Sequence, residues 1–342
     1  MSSPPDFLPT RAAALARLEE FLPDAGRYAA DRNFVRPGHP NTSRLSPWVQ
    51  KRLLLEEEVI AAARERWSFE SVEKFVQEVY WRTYWKGWLE QRPEAWSRWV
   101  EAVPRLRDAL SAEQRSTLEA ALAGRTGIAG FDDWAHELVA TGYLHNHARM
   151  WFASIWIFTL RLPWELGAAF FYEHLLDGDV ASNTLSWRWV AGLQTPGKTY
   201  VARADNIAHY TDGVHAPEAG RLASAPFAIK EDPLPKVAAW TEDAAQVATL
   251  KTYERLGLWV HPEDLAVEQG ELAGLKIQGV NASWLTGISA RAGWSEKVSA
   301  WTRASATICL FISPTRCWMA LRASLTKVWS SARRCWKVAF FC

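Results

Sequence analysis

Two polar segments contain most of the side chains in this sequence that could bind a ligand. Residues 141–150 read TGYLHNHARM, and residues 177–183 read DGDVASN. In the first segment Asn146, Arg149 and Met150 follow the spacing i, i+3, i+4, which places them on one face of a helix. An amide, a guanidinium and a thioether on one face could hold the polar edge and the flat surface of a large aromatic ligand. The alternative is a capped helix whose arginine makes a structural ion pair.

The second segment predicts a turn that leads into a helix. Asn183 and Trp187 are one helical turn apart beyond Asp177 and Asp179. The two carboxylates could accept hydrogen bonds from ligand hydroxyls or pair with Arg149. The alternative is a simple helix N-cap, where aspartate is common. A calcium loop would need further acidic ligands, which are missing here.

An upstream turn, residues 41–48 with the sequence NTSRLSPW, could contact an anion. It offers hydroxyl groups, backbone N–H groups and a helix that begins near Pro47, which together predict a phosphate cradle. A serine that only caps the helix explains part of the same pattern.

A third helical pattern combines one carboxylate with aromatic rings. Glu78, Trp81 and Arg82 share a helix face by their spacing. The aromatic residues that continue this face are Tyr84, Trp85 and Trp88. Such a stripe usually packs in a core; the alternative is a carboxylate beside a surface that stacks on a base.

Composition indicates a globular protein with an unusual aromatic content. The 342 residues are 49% hydrophobic and 23% charged, and 21 of them are tryptophan, which favours a helical core or an aromatic ligand site. No apolar run is long enough to span a membrane, and the first residues lack the pattern of a signal peptide. We therefore expect a cytoplasmic protein. The four cysteines have spacings that fit neither a zinc site nor paired cysteine modules, so no metal is expected.

Charge is distributed unevenly along the chain. After Glu296 there is no acidic residue but eight basic ones, which leaves 31 basic against 38 acidic residues over 1–296, a balance of −7. Residues 304–342 combine this acid-free composition with all four cysteines, and we interpret them as a basic, non-native or frame-shifted tail. The alternative is a genuine basic tail that binds nucleic acid or a membrane surface.

Hydrophobic periodicity predicts an all-α domain over residues 1–215. The predicted helices cover 10–22, 48–66, 69–91, 105–123, 131–139, 143–160 and 164–176. Prolines then mark a linker, and residues 216–303 are expected to contain a further helical extension, with a helix near 241–256. No glycine-rich loop follows a strand, so a Rossmann or P-loop nucleotide site is not predicted.

Taken in order, these segments resemble the helical FAD-binding domain of the DNA photolyase and cryptochrome family, from about Tyr28 to Asn206. The matching segments are TSRLSP at 42–47, ExxWR at 78–82, the two segments described first, and WxW at 187–189. The resemblance implies an all-α fold that binds FAD. The N-terminal antenna domain of the family has no counterpart, so no second chromophore site is expected.

The resemblance also assigns roles to single residues. The contacts on the phosphate side of FAD would be Tyr28, with Arg32 near it, Thr42, Ser43, Leu45 and Ser46. The contacts to the rest of FAD or its shell would be Arg82, Asn146, Arg149, Asp177, Asp179 and Asn183, with Asn183 near flavin N5. Asparagine at this last position is the pattern of the repair enzymes, whereas plant cryptochromes usually carry aspartate.

A second set of residues would contact damaged DNA or move electrons. Trp81 and Trp189 match the aromatic walls around a flipped pyrimidine dimer, and Glu78, Asn146 and Met150 match its polar and apolar neighbours. Enzymes specific for 6–4 lesions typically carry histidine at the last two positions, so the cyclobutane-dimer class is expected. Trp187 and Trp164 match the first two members of the tryptophan chain that photoreduces FAD. A third member is not found in the expected region, near 100–121.

The predicted function is therefore light-driven electron transfer from reduced FAD that splits cyclobutane pyrimidine dimers in DNA, a lyase reaction. The alternative is a non-repairing, cryptochrome-like FAD photoreceptor or regulatory flavoprotein. Damaged DNA is the expected partner of a monomer, although the balance of −7 disfavours strong attraction to phosphates.

Overall fold

The computed structural model describes residues 7–195, 198–218 and 220–235, together with the backbone of three short strands. Every regular element from Arg11 to Tyr210 is helical, which confirms the predicted all-α fold of this region. The helices are α1 (Arg11–Phe21), α2 (Tyr28–Asp31), α3 (Ser46–Gln50), α4 (Glu56–Arg66), α5 (Phe69–Glu90), α6 (Glu94–Asp108), α7 (Ala112–Leu122), α8 (Phe131–Thr141), α9 (Asn146–Ser154), α10 (Trp164–His174), α11 (Val180–Val190) and α12 (Ala204–Tyr210).

Two segments with a helical geometry other than α extend these helices. A 3₁₀ turn covers Leu22–Arg27, and a π-helical turn, Ile155–Thr159, continues α9. The three strands are β1 (Leu256–Trp259), β2 (Ile277–Asn281) and β3 (Val338–Ala339), which form a parallel sheet in the order β2-β1-β3. Apart from these strands, the predicted helix at 241–256 and the tail at 304–342 lie outside the described residues.

Two predicted helices are each divided in the structure. The pattern at 48–66 forms α3 and α4, separated at Lys51–Leu55, where Arg52 has a φ of 52°. The pattern at 105–123 forms the end of α6 and then α7, which Ser111 and Gln114 begin with a capping box. The prediction for 105–123 was wrong at its start because α6 begins at Glu94 and continues through Pro104. The capping box at Ser111 was a readable signal for the break.

The described residues pack into two hydrophobic clusters. One contains Leu18, Phe21, Trp48 and Phe75 from the N-terminal helices. The other is built around buried aromatic rings, namely Phe131, Trp134, Trp151, Phe152, Trp156, Phe171 and Trp187. Aromatic side chains bury large apolar areas, which accounts for much of the high tryptophan content. No helix among the described residues is long and apolar enough to cross a bilayer.

The proline-containing segment after α12 lies along the helical region at least as far as residue 235. Both guanidinium NH groups of Arg188 donate to the carboxylate of Glu231, at 2.7 and 2.6 Å. Phe227 packs edge-on against Phe158, and the Ala223 N–H donates to Thr159 Oγ1. The first part of the expected linker therefore packs against α11 and the π-helical turn.

Gly167 permits the closest approach between α10 and α11. A Cβ atom at this position would lie 2.3 Å from a ring carbon of Trp187 and 3.0 Å from one of Trp156. Real Cβ atoms do not approach ring carbons so closely, so any larger residue here must displace buried indoles.

We expect Gly167→Ala to destabilise the protein by about 1–3 kcal/mol, because it overpacks a buried contact. Gly87→Ala is the matched control, since a Cβ at this helical position meets nothing within 4 Å. The control should raise stability by about 1 kcal/mol through helix propensity alone. Urea unfolding measures both changes, and equal effects of the two substitutions would contradict the packing argument.

Candidate functional site

A cavity of about 890 Å³ opens between the two hydrophobic clusters. Its walls come from the turn at 42–46 and from α5, α9, α10, α11 and α12. Among the residues predicted for the site, all line this cavity except Trp164. Cavities of this size are typical of sites for large organic ligands.

The turn at 42–46 is held in place by a distant arginine. Arg17 donates from Nε to the Ser43 carbonyl at 2.8 Å and from an NH group to the Thr42 carbonyl at 2.9 Å. These bonds use the main-chain carbonyl groups and not the side-chain hydroxyls of the turn. Ser43 and the exposed Ser46 both line the cavity. Since α3 has only five residues, the predicted phosphate contact would depend on hydroxyl and loop groups rather than on a helix terminus.

His145 begins α9 and thereby positions the first polar segment. Its Nδ1 accepts from the His147 backbone N–H at 3.1 Å, so the imidazole is the N-cap. Burial, with the nearby His39, His147 and Arg149, lowers the pKa of His145 to about 3. A neutral ring therefore caps the helix that presents Asn146, Arg149 and Met150 to the cavity.

Arg149 connects α9 to the second polar segment. It donates to the Leu144 carbonyl at 2.8 Å and to Asp177 Oδ2 at 2.9 Å. The structural ion pair considered as an alternative is thus present. The other oxygen, Asp177 Oδ1, is buried with no hydrogen-bond partner among the described residues, so it remains available to accept from a ligand.

Asp179 is both a helix cap and part of a buried charge cluster. Its Oδ1 accepts from the N–H groups of Ala181 and Ser182 at 2.8 and 2.7 Å. Its Oδ2 lies 3.6 Å from Lys86 Nζ and 3.9 Å from an Arg82 nitrogen. Burial opposes ionisation of Asp179, but the two cations and the two N–H bonds outweigh it and hold its pKa below the usual range.

Arg82 is fixed by partners that sequence reasoning missed. It donates to Glu56 Oε1 at 2.8 Å and to the Gln50 carbonyl at 2.9 Å. The amide atoms of Gln50 are themselves buried at the cavity without partners among the described residues. The pair of Glu56 with Arg82 and the pair of Lys86 with Asp179 had no recognisable spacing in the sequence, because each forms only when α4, α5 and α11 pack.

Asn183 points its amide in a defined direction. Its Nδ2 donates to the Ala168 carbonyl at 2.8 Å, which leaves Oδ1 as the group that faces the cavity. An amide oxygen in this position can accept a hydrogen bond from a ring N–H of a ligand.

Three tryptophans of the predicted site differ in their surroundings. Trp187 is buried at the cavity, and its Nε1 has no partner among the described residues. Trp189 is half-buried and stacks on Tyr200 with ring centroids 5.9 Å apart. Trp164 is also buried but lies behind the cavity wall, under the Arg188 guanidinium.

The aromatic stripe of α5 is not core. Trp81 is 44% exposed and Tyr84 is 52% exposed, so the interpretation of the stripe as core packing was wrong for these residues. Trp81 stacks on Trp85 with centroids 5.4 Å apart and meets Tyr84 edge-on. Glu78, one turn earlier, is paired with Arg32 at 2.5 Å and with Lys74 at 3.3 Å.

The donor and acceptor set fits FAD. Buried oxygens without protein partners, such as Asp177 Oδ1, suit hydroxyl donors, whereas the hydroxyls at 42–46 and nearby arginines suit a diphosphate. Buried polar groups are normally hydrogen-bonded, so several unpaired atoms around one cavity indicate a polar ligand. Phe171 and Trp187 add flat apolar surface to the same walls.

Comparison with known proteins identifies the domain. Residues 75–213 match the model of the FAD binding domain of DNA photolyase. The deoxyribodipyrimidine photo-lyase of Streptomyces griseus is 34% identical over 181 residues, which are 48% of this chain and 38% of that protein. The enzyme of the same name from a strain of Thermus thermophilus is 35% identical over 199 residues, covering 56% of this chain and 45% of that protein.

Solved structures agree with this match. A bacterial class III photolyase from Agrobacterium tumefaciens superimposes with a TM-score of 0.50 at 27% identity, covering 59% of this chain and 42% of that chain. A cryptochrome from Synechocystis superimposes with a TM-score of 0.52 over 59% of this chain and 43% of that chain, and at 24% identity it shows a shared fold.

The helical fold and the polar cavity thus define a flavin-binding domain. More narrowly, residues 75–213 belong to the FAD-binding domain family of DNA photolyase, and the cofactor of this domain is FAD. The chain spans less than half the length of these curated relatives.

We expect Asp177→Asn to lower FAD retention, because it removes the carboxylate charge and replaces one of the two acceptor oxygens by a donor, so that Arg149 and the ligand compete for a single neutral acceptor. Loss of a charged hydrogen bond costs about 1.5–3 kcal/mol, which corresponds to roughly a 10- to 150-fold weaker affinity. Asp205→Asn is the control, since Asp205 forms only an exposed pair with Arg203. Flavin absorbance per protein and titration of the flavin-free protein measure the effect. Equal FAD retention by the two variants would show that Asp177 does not contribute to FAD binding.

The buried histidine predicts a pH-dependent stability. The pKa of His145 is about 3 when folded and about 6.5 when unfolded, so protons bind the unfolded chain first as pH falls. Titration of His145 therefore leaves the free energy of unfolding unchanged at pH 7.5 and lowers it by about 2 kcal/mol at pH 5.

We expect His145→Asn, which keeps a good N-cap, to lose less stability than the wild type between these two pH values. His136→Asn, at an exposed position of α8, is the control and should keep the wild-type pH dependence. Urea unfolding at pH 7.5 and pH 5 tests this, and parallel losses in all three proteins would refute it.

Proposed function

We propose that this chain uses FAD to split cyclobutane pyrimidine dimers in DNA when illuminated. The observation that carries the proposal is that the FAD set and the predicted lesion set line one cavity. Trp81 and Trp189, from α5 and α11, and Asn146 and Met150, from α9, face the same space as Asp177 and Asn183. Photolyases are the relatives by sequence, with identities of about a third over half the chain.

Reduced FAD, when bound in this cavity, would supply a light-driven electron donor for cleavage of the two carbon–carbon bonds between the pyrimidines, with return of the electron to the flavin. The protein's part is to bind and orient. Trp81 is exposed enough to stack on a base that has left the duplex. Trp189 offers a second ring, which is already stacked on Tyr200 with centroids 5.9 Å apart and an angle of 27° between the planes.

Glu78 would accept hydrogen bonds from the polar edge of the dimer. Its carboxylate is oriented by Arg32 on one side and Lys74 on the other. Oriented acceptors lose less freedom on binding than mobile ones, so this pairing preorganises the lesion side of the cavity.

The second candidate is a non-repairing FAD photoreceptor. One observation favours it: Glu78 already has two cationic partners, so a base must share or displace them. The acidic balance of residues 1–296 also weakens attraction to phosphates. Both candidates use the same FAD cavity and differ in what occupies the space beside Trp81.

The deciding experiment adds a dimer-containing oligonucleotide to chemically reduced protein and illuminates it. Light-dependent recovery of intact pyrimidines supports the lyase, and bound FAD without recovery supports the photoreceptor. A protein that cannot be loaded with FAD contradicts both.

We expect Glu78→Ala to lower the repair rate roughly 10- to 150-fold, because hydrogen bonds to charged groups contribute about 1.5–3 kcal/mol. FAD content should not change, since Asp177, Asp179 and Asn183 remain. Glu73→Ala is the control on the same helix, because Glu73 is exposed and contacts Gln77. If Glu78→Ala releases FAD instead, Glu78 is a cofactor ligand and not a lesion contact.

A further inference from the structure

The aromatic stripe of α5 is longer than a pyrimidine dimer requires. Trp81, Tyr84, Trp85 and Trp88 follow the spacing i, i+3, i+4, i+7, so they share one face of the helix. All four line the cavity, and Trp81 and Tyr84 are also exposed to solvent. The proposed lesion contact uses Trp81 alone, which leaves three rings beside it without a role.

The rings of the stripe hold one another in place and still offer flat surface. Trp81 and Trp85 stack with centroids 5.4 Å apart. The ring of Tyr84 is steeply inclined to both indoles, with centroids at 5.2 and 5.1 Å. Such contacts cover less of a ring face than stacking does, and Tyr84 accordingly remains 52% exposed.

Arg92 adds a positive charge where the stripe ends. Its guanidinium lies over the ring of Trp88, 4.6 Å from the centroid, and within the described ranges no carboxylate forms an ion pair with it. Glu94 pairs with Arg98 instead, and Glu90 falls on the opposite side of α5 by helical periodicity. Arg92 is therefore available to an anionic group while the indole orients it.

A row of rings that ends at an arginine has the chemistry of a surface for a nucleic acid strand. Bases stack on aromatic side chains, and arginine contacts the phosphates between them. At about 1.5 Å per residue, Trp81 and Trp88 are about 10 Å apart along the helix axis, which is the length of about three stacked bases.

Charge distinguishes an unpaired strand from a duplex as the occupant. Proteins bind duplex DNA largely through its phosphates, and the balance of −7 over residues 1–296 opposes this attraction. Stacking needs no net charge, but it needs free base faces, which a duplex has already covered with neighbouring bases. The stripe therefore favours an unpaired strand.

We propose that the aromatic stripe and Arg92 bind the unpaired nucleotides that flank the lesion, so that this chain binds a single DNA strand more tightly than the same sequence in a duplex. The inference rests on the proposed function for the position of the lesion beside Trp81. The base next to the lesion stacks on Tyr84, the bases beyond it reach Trp88, and Arg92 contacts their phosphates.

The test measures binding in the dark, with the FAD-loaded protein and a short fluorescent oligothymidine without lesions, alone or paired with its complement. We expect the single strand to bind more tightly. Tyr84→Ala should weaken this binding roughly 5- to 150-fold, the effect of losing one stacked base. Tyr84→Phe keeps the ring and should bind like the wild type. Tyr84→Leu keeps the bulk without the ring and should bind like Tyr84→Ala, so a folding defect of the alanine variant does not decide the test.

The other end of α5 provides matched controls. Phe69 is 45% exposed and Arg64 lies over its ring at 5.8 Å, but neither residue lines the cavity. Phe69→Ala should therefore bind the single strand like the wild type.

The salt dependence of binding separates the arginine from the rings. Arg92→Gln should reduce the slope of log affinity against log salt concentration by about 0.7, the value for one phosphate contact to a single strand. Arg64→Gln should leave the slope unchanged. Tyr84→Ala should lower the affinity at every salt concentration without changing the slope, because stacking releases no counterions.

These measurements need neither light nor a dimer, so they separate the stripe from the lyase reaction. Equal affinity for single strand and duplex refutes the inference, as does equal binding by Tyr84→Leu and Tyr84→Phe, even if the protein repairs dimers. The exposed rings would then serve a partner other than DNA. Ring-dependent binding of the single strand without light-driven repair of a dimer in it contradicts only the lyase proposal.

Discussion

The buried carboxylate of Asp179 is the interaction on which the site depends. One of its oxygens caps α11, and the other faces Lys86 and Arg82 from α5. A buried charge is tolerated only when it is paired and hydrogen-bonded, so these contacts fix the position of α11 against α5. Since α11 carries Asn183, Trp187 and Trp189, one ion cluster positions the predicted flavin contact, the predicted electron donor and the predicted lesion wall together.

The helical architecture was predictable from sequence because apolar residues recur at helical spacing and strand-like alternation is scarce. A pronounced amphipathic asymmetry is confined to α6, α8 and α9 among the longer helices. The prediction of α5 over 69–91 differs from the observed Phe69–Glu90 by a single residue. The prediction of a single helix over 48–66 was wrong because the backbone leaves the helical conformation while the apolar pattern continues. Arg52, just after α3, has a left-handed conformation, and neither glycine nor proline marks this position in the sequence. The helix predicted from residue 105 missed most of α6, which begins at Glu94 and contains Pro104.

The polar side chains of the candidate site were also found from sequence, since they cluster in short segments. Their supporting residues were not. Glu56 reaches Arg82 across 26 positions and Arg17 reaches Ser43 across the same distance, and such pairs leave no local spacing to read. The solvent exposure of aromatic side chains could not be predicted either. The aromatic stripe of α5 has the spacing of a core face, but Trp81 and Tyr84 are exposed to solvent because no described helix covers them.

The π-helical turn at Ile155–Thr159 has a consequence for how this fold can change. A π-turn holds one residue more than an α-helical turn of the same path, and here the Leu160 N–H bonds to the Ile155 carbonyl, five residues earlier. Removing one residue from this turn would restore an ordinary helix and rotate the side chains on one side of it by about 100°. Because α9 and α10 lie on the two sides of this turn and both line the cavity, such a rotation would turn Met150 of α9 relative to Phe171 of α10. Chain length at this turn therefore sets how the polar side chains of α9 are aligned with the aromatic side chains of α10 across the cavity.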